Sequence, residues 1–124
     1  MKLLLTQRAL RDITQIKSYS IENWGERVSG EYLNAIEEAL SQIKLHPEIL
    51  RVEACFHPSL HFYRVRNHLL VCDFLKDSVV VLTVIHAVMD IPERLTELQP
   101  TFRREVEILR SQLHQANDDT EEEV

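Results

Sequence analysis

HLLVCDFLKDSVVVLTVIHAVMDIPERL (His68–Leu95) is the stretch whose reading decides how this chain folds. Two apolar runs flank the turn-like Lys76-Asp77-Ser78, which predicts a tight antiparallel hairpin. Val79 to Val88 is rich in Val and Ile and barely alternates, as expected of a central strand covered on both faces. The run ends in His86-Ala87-Val88-Met89-Asp90 and leads into a helix start at Ile91-Pro92-Glu93. An ionisable pair, His86 and Asp90, therefore stands at a sheet edge, a place where such groups often function.

Working back toward the N-terminus, residues 60–66 form a third candidate strand, joined to 68–75 by a turn at Arg66-Asn67. Residues 48–59 are expected to be irregular, and Pro58 resists a central strand. Before them, Val28, Tyr32, Ala35, Ile36, Ala39, Leu40 and Ile43 form a broad apolar stripe on a helix from Glu26 to Leu45. His46-Pro47 closes that helix, because the residue before proline avoids helical angles. A preceding helix runs from Arg8 to Trp24, with Ile13, Ile16, Ser20 and Trp24 on one face. Thr6 is its N-cap and Gly25 its terminator. Two helices joined by so short a turn fold back as a hairpin. With a short strand at residues 2–6, the order is β-α-α-β-β-β. The economical architecture is α+β, a two-layer sandwich with the helix hairpin packed on an antiparallel sheet.

On the C-terminal side, Pro100-Thr101 is expected to interrupt the chain. Phe102, Val106, Leu109 and Leu113 then recur at helical spacing, an added amphipathic helix that docks on its own sheet or on a second copy. The expected divisions are residues 1–99 as the main domain, 100–116 as the C-terminal helix and 117–124 as an acidic, disordered tail.

Bulk properties exclude several function classes. At 124 residues the chain has room for one core. No run reaches the roughly 18 apolar residues of a membrane span, and Met1–Leu5 falls short of a secretory signal, so a cytoplasmic location and no membrane partner are expected. The net charge is −6; residues 1–99 hold eleven Lys or Arg against thirteen Asp or Glu, and residues 100–124 hold three against seven. Neither part has the basic excess that phosphate contacts require, which argues against sequence-specific nucleic-acid binding. Cys55 and Cys72 sit in apolar surroundings as free thiols do. With only Gly25 and Gly30, the chain has no phosphate-cradling loop.

The ordered set of features resembles a known family. Leu5-Thr6, Ala9, Asp12, Ile13, Ile16 and Tyr19, the Trp24-Gly25 turn, and Tyr32, Ile36, Leu40 and Ile43 fit its two helices. His68 with Leu69-Leu70-Val71, then Val81-Leu82, Val84-Ile85-His86, Met89-Asp90 and Arg94-Leu95, fit its sheet and exit. Over about Leu3 to Leu98 the chain looks like the ParE branch of the RelE/ParE toxins, and the His-x-x-Met-Asp ending on the last strand is what favours that branch. The resemblance implies the toxin of a type II toxin–antitoxin pair, a non-enzymatic inhibitor of DNA gyrase or a related type II topoisomerase. It further implies neutralisation by a cognate antitoxin and no cofactor.

Residues expected at a target or antitoxin surface are Trp24, His68, His86, Met89, Asp90 and Arg94; no catalytic residue is assigned. Each also has a plainer reading. Trp24 at a helix turn is expected to close the core. Asp90 is expected to cap the following helix, though it can also orient His86. The principal alternative is ribosome-dependent mRNA cleavage of the RelE type. It needs several cations and a proton-transfer group on one face, yet Lys76 is the only Lys or Arg between Asn67 and Glu93. Arg64 and Arg66 keep that alternative open, and a non-toxic, repurposed binding module is a third. Neither Cys55, His57 and His61 nor His68, Cys72 and His86 has the spacing of an established metal motif, and no metal is expected.

Overall fold

A computed structural model describes residues 1–123, with side chains to residue 113. The elements are β1 (Lys2–Leu5), α1 (Gln7–Trp24), α2 (Glu26–Leu45), a 3-10 turn (Pro47–Ile49), β2 (Arg51–Val52), β3 (His61–Val65), β4 (His68–Leu75), β5 (Ser78–His86) and α3 (Ile91–Glu123). The sheet order is β1-β5-β4-β3-β2. The helix hairpin covers one face of the sheet and α3 the other, so β5 is buried from Ser78 to Ile85. This double cover explains why the Val- and Ile-rich run does not alternate.

The α+β plan matches the expectation, with α3 adding a third layer to the expected two and with two refinements in the sheet. β2 adds a short edge strand where irregular chain is expected, pairing Arg51 with Phe62 and Val52 with His61. The sheet is mixed rather than wholly antiparallel, because β1 runs parallel to β5, Lys2 beside Ser78 and Leu5 beside Val81. Tight turns impose antiparallel pairing only on neighbours in sequence. β1 instead reaches the sheet through the helix hairpin, a connection long enough for parallel pairing.

On the hairpin side, Tyr32, Ile36, Ala39 and Ile43 of α2 pack with Leu70, Cys72, Val79, Val81 and Val84. On the opposite side, Ile91, Leu95, Leu98 and Phe102 of α3 pack with Phe62, Leu69, Val71, Val80, Leu82 and Ile85. Val106, Leu109 and Leu113 lie partly buried against that second cluster, so the C-terminal stripe docks on its own sheet. Glu105 of α3 also reaches around to α1, its Oε1 accepting the Arg8 backbone N–H at 2.9 Å. A carboxylate there complements the positive end of the helix dipole.

Pro100 does not interrupt the chain as expected. α3 starts at Ile91 and passes through Pro100. Leu98 and Phe102, on either side of it, are buried on one face, whereas Pro100 points to solvent. The Thr96 carbonyl that loses its helical partner belongs to an exposed residue, where water can bond to it. The disordered tail expected at 117–124 falls where side chains lie outside the described residues, and Val124 is not described at all.

One irregularity shapes the functional end of the sheet. Between β4 and β5, Val71 pairs with Thr83 but Cys72 pairs with Val81, leaving Leu82 unopposed. An inserted residue reverses which side chains face which way beyond it. Val79 and Val81 face the hairpin before the bulge and Val84 does so after it; Val80, Leu82 and Ile85 face α3. His86 is thereby turned to the hairpin side.

The first helix satisfies the polar groups that the bulge exposes. Thr6 Oγ1 donates to the Leu82 carbonyl at 2.7 Å and accepts the Ala9 N–H at 3.0 Å, capping α1 at the same time. Asp12 Oδ2 accepts from the Val84 N–H at 3.0 Å and from the Thr83 hydroxyl. Asp12 is only 7% exposed. Such a buried carboxylate persists because it is hydrogen-bonded and paired, here with Arg8 Nε at 3.2 Å from Oδ1.

Candidate functional site

The α1–α2 turn, the β3–β4 turn and the end of β5 converge on a cavity of about 380 Å³, open at one end of the sheet. Gly25 makes the sharp turn between the helices with φ of 86°, a left-handed value that costs glycine little. Arg66 takes a positive φ of 52° at the first residue of its two-residue loop, as the tight turns of twisted hairpins require. These turns bring Trp24, Tyr32 and His68 together, and the bulge adds His86.

A row of rings lines the cavity. Trp24 lies 5.6 Å from Tyr19 edge-on and 6.2 Å from Tyr32. Tyr32 meets His68 edge-on at 5.5 Å, and His68 meets its register partner His86 at 5.2 Å. Such edge-to-face contacts place positive ring edges on negative ring faces. The Arg66 guanidinium lies 5.7 Å above the Tyr32 ring, within cation–π range.

Hydrogen bonds fix the proton arrangement at the centre of this row. The Asn67 N–H donates to Tyr32 Oη at 3.2 Å, and Oη lies 2.5 Å from His68 Nδ1. Burial holds the His68 ring below the usual histidine range, and His86 adds to this, against an opposing pull from Asp12. The neutral ring therefore accepts the Tyr32 O–H at Nδ1 and keeps its single donor at Nε2. Burial also raises the Tyr32 phenol, which keeps it a donor despite Asn67, Arg66 and Arg64 nearby.

Five of the six expected surface residues meet here: Trp24, His68, His86, Met89 and Arg94 all line the cavity. Asp90 does not. Its Oδ1 accepts the Glu93 N–H at 3.2 Å and caps α3, the plainer of its two expected roles. His86 Nδ1 instead faces the Val88 N–H at 3.4 Å. Trp24 does not close the core as expected: it is 47% exposed on the rim, at the last residue of α1 and one turn beyond buried Ser20. Arg94 is partly exposed and pairs with Glu97 at 3.0 Å.

Sequence reasoning passed over Tyr32, Arg8, Asp12 and Asn67 as members of this site. Tyr32 reads as one more position of the α2 stripe, and its polar end was the signal available. A buried tyrosine usually needs a hydrogen-bond partner.

The other suspected ligand groups lie apart from the cavity, and Cys55 is exposed rather than set in apolar surroundings as expected. Cys72 lies in the core, where burial and Asp73 push its thiol up to about 12. His57 Nδ1 accepts the N–H groups of Ser59 and Leu60 in its own turn, and His61 meets Phe74 edge-on at 4.8 Å. Among the described residues, no group of three or more His, Cys, Asp or Glu could hold a metal ion. No helix there is long and apolar enough to cross a membrane.

The family description "ParE toxin of type II toxin-antitoxin system, parDE" matches residues 3–91. Among solved structures, a chain of the chromosomal ParDE TA system from P. aeruginosa is similar with a TM-score of 0.62 and 12% identity. The alignment covers 69% of this chain and 95% of that one, a likeness of fold. No curated protein matches the sequence.

Proposed function

The chain belongs to the family of ParE toxins of type II toxin–antitoxin systems, and from that premise we propose that it inhibits a type II topoisomerase, DNA gyrase foremost, by binding to it. The observation that carries the binding reading is how the cavity's cations are held. Arg8 is held by buried Asp12 and His68 Nδ1 is occupied by Tyr32, which leaves Arg94, in a partly exposed pair with Glu97, as the one lining arginine open to a new partner. Cleaving RNA without a metal needs several cations gathered around the phosphate together with a proton-transfer group, and one recruitable arginine in the cavity lining falls short of that set. This end of the sheet offers instead a half-exposed apolar rim, Trp24 and Met89, beside polar donors. Interfaces often draw most of their energy from such buried aromatic and Arg anchors.

An antitoxin is the second partner in this reading. Its docking surface is a groove between the helix hairpin and the sheet, filled by a segment that orders on binding. Both partners act in the cytoplasm. The Val106, Leu109 and Leu113 stripe is used within the chain, so a homo-oligomer built on that stripe does not enter the reading.

Gyrase supercoiling and cleavage assays with purified protein, run beside in vitro translation, test this function. Reduced supercoiling or trapped cleaved DNA, with translation intact, is the expected outcome. Codon-linked mRNA cleavage with gyrase unaffected would establish the ribonuclease alternative in its place. Inactivity in both assays, together with normal growth on induced expression, would identify a repurposed binding module.

A further inference from the structure

The ionisable side chains lining the cavity are mostly basic, in a chain that is acidic overall. The chain carries a net −6, yet the cavity is lined by Arg8, Arg94, His68 and His86, and its one lining carboxylate is Asp12. Asp12 is already engaged by Arg8, Thr83 and Val84. Its charge is thus spent inside the wall. The Arg94–Glu97 pair, by contrast, is a partly exposed i,i+3 contact, a class of ion pair with little holding energy. Arg94 can therefore be recruited by another carboxylate at little cost. His68, an acceptor only at Nδ1, presents its N–H at Nε2, and exposed His86 adds a second ring. Beside these donors stand Trp24, 47% exposed, and Met89, 38% exposed.

We propose that this cavity binds an acidic side chain, flanked by an apolar one, from a protein partner. The carboxylate sits against Arg94 and the two imidazoles, and the apolar neighbour sits against Trp24 and Met89. The inference rests on reading the cavity as a protein-docking face and adds the chemistry of what docks there. A charge-assisted bond from Arg to a carboxylate is roughly twice as strong as one between neutral groups, and it also sets which partner fits.

An extended nucleic acid suits the site less well. Polyanions need a basic stripe along which successive phosphates lie. The cavity lining holds only two arginines, Arg8 and Arg94, and Arg8 is already engaged by Asp12.

The test uses the full chain and its only tryptophan, Trp24, as a built-in reporter. The protein is titrated with acetyl-Leu-Glu-Leu-Glu-Leu-amide, with the same peptide carrying Gln for Glu, and with a single-stranded RNA hexamer. Trp24 fluorescence and histidine-ring NMR signals are followed. The Glu peptide should bind at least about tenfold more tightly than its Gln counterpart, the equivalent of one charge-assisted bond. Added salt should weaken it.

Arg94→Gln should bring the two peptides to equal affinity, and His86→Gln should narrow the gap. Arg110→Gln, on the far part of α3, should change nothing. Melting curves of each variant separate lost binding from lost folding. Equal affinity of the two peptides for the parent protein would overturn the proposal. So would no response from Trp24, tighter binding of the RNA, or a folded Arg94→Gln that binds as the parent does. These titrations need no toxic activity, so they can fail while gyrase inhibition succeeds, and the reverse.

Discussion

His68 shows how one side chain can couple a site to stability. Its ring is neutral in the fold because burial and the neighbouring His86 oppose a second proton. The unfolded chain binds that proton near pH 6.5, an ordinary histidine value. Between the unfolded value and the lower folded one, the unfolded state holds more protons, so stability rises with pH. The contribution is complete above about pH 6.5 and is lost as pH falls through the folded value. Melting temperature should therefore drop between pH 7.5 and 5. Replacing His68 by Phe, which keeps the edge-on packing with Tyr32 but cannot titrate, should flatten that drop while lowering stability at pH 7.5 because the Tyr32 O–H loses its acceptor. An unchanged pH slope in His68→Phe would show that the ring does not titrate as argued.

At the scale of elements, local signals and packing agree for α2 and conflict in α3. In α2 the apolar stripe, the Gly25 start and the His46-Pro47 stop all point to Glu26–Leu45. In α3, Pro100 speaks locally for a break, while Leu95, Leu98 and Phe102 speak for one continuous face. Packing wins because burying three large side chains contributes about 1.5–3 kcal/mol each, against a proline penalty of roughly 3 kcal/mol. That penalty remains in the folded state. Pro100 is exposed and gives up no packing when replaced. Pro100→Ala should thus stabilise the protein by about 2 kcal/mol, the penalty less the entropy regained by the unfolded chain. Urea denaturation measures it, and a lower midpoint would mean that α3 uses the proline to follow the sheet.

For the molecule as a whole, α3 decides how much of the sheet is sheltered. Without it, Val80, Leu82 and Ile85 would face water, and the central strand would have cover on one side alone. Leu109 tests this closure from its far end. Leu109→Asp should cost about 1–2 kcal/mol, because a half-buried leucine gives up its apolar burial and a carboxylate fits poorly against the cluster. Thermal melting with light scattering reads both stability and mass. An unchanged melting point would place the stripe outside the core. Much of this architecture was legible in the sequence because periodicity, caps and tight turns act over a few residues. Thr6, Gly25, the α2 stripe and the Arg66 and Lys76 turns each announce their own element. Other features were decided only in three dimensions. The parallel seat of β1 depends on a strand some seventy residues away, beyond the reach of any turn. The exposure of Trp24 depends on where the last turn of α1 lies relative to the sheet. Above all, the bulge at Leu82 turns His86 toward His68. In a strand buried on both faces a shift of one residue exchanges one apolar side chain for another, so the apolar pattern carries no sign of it.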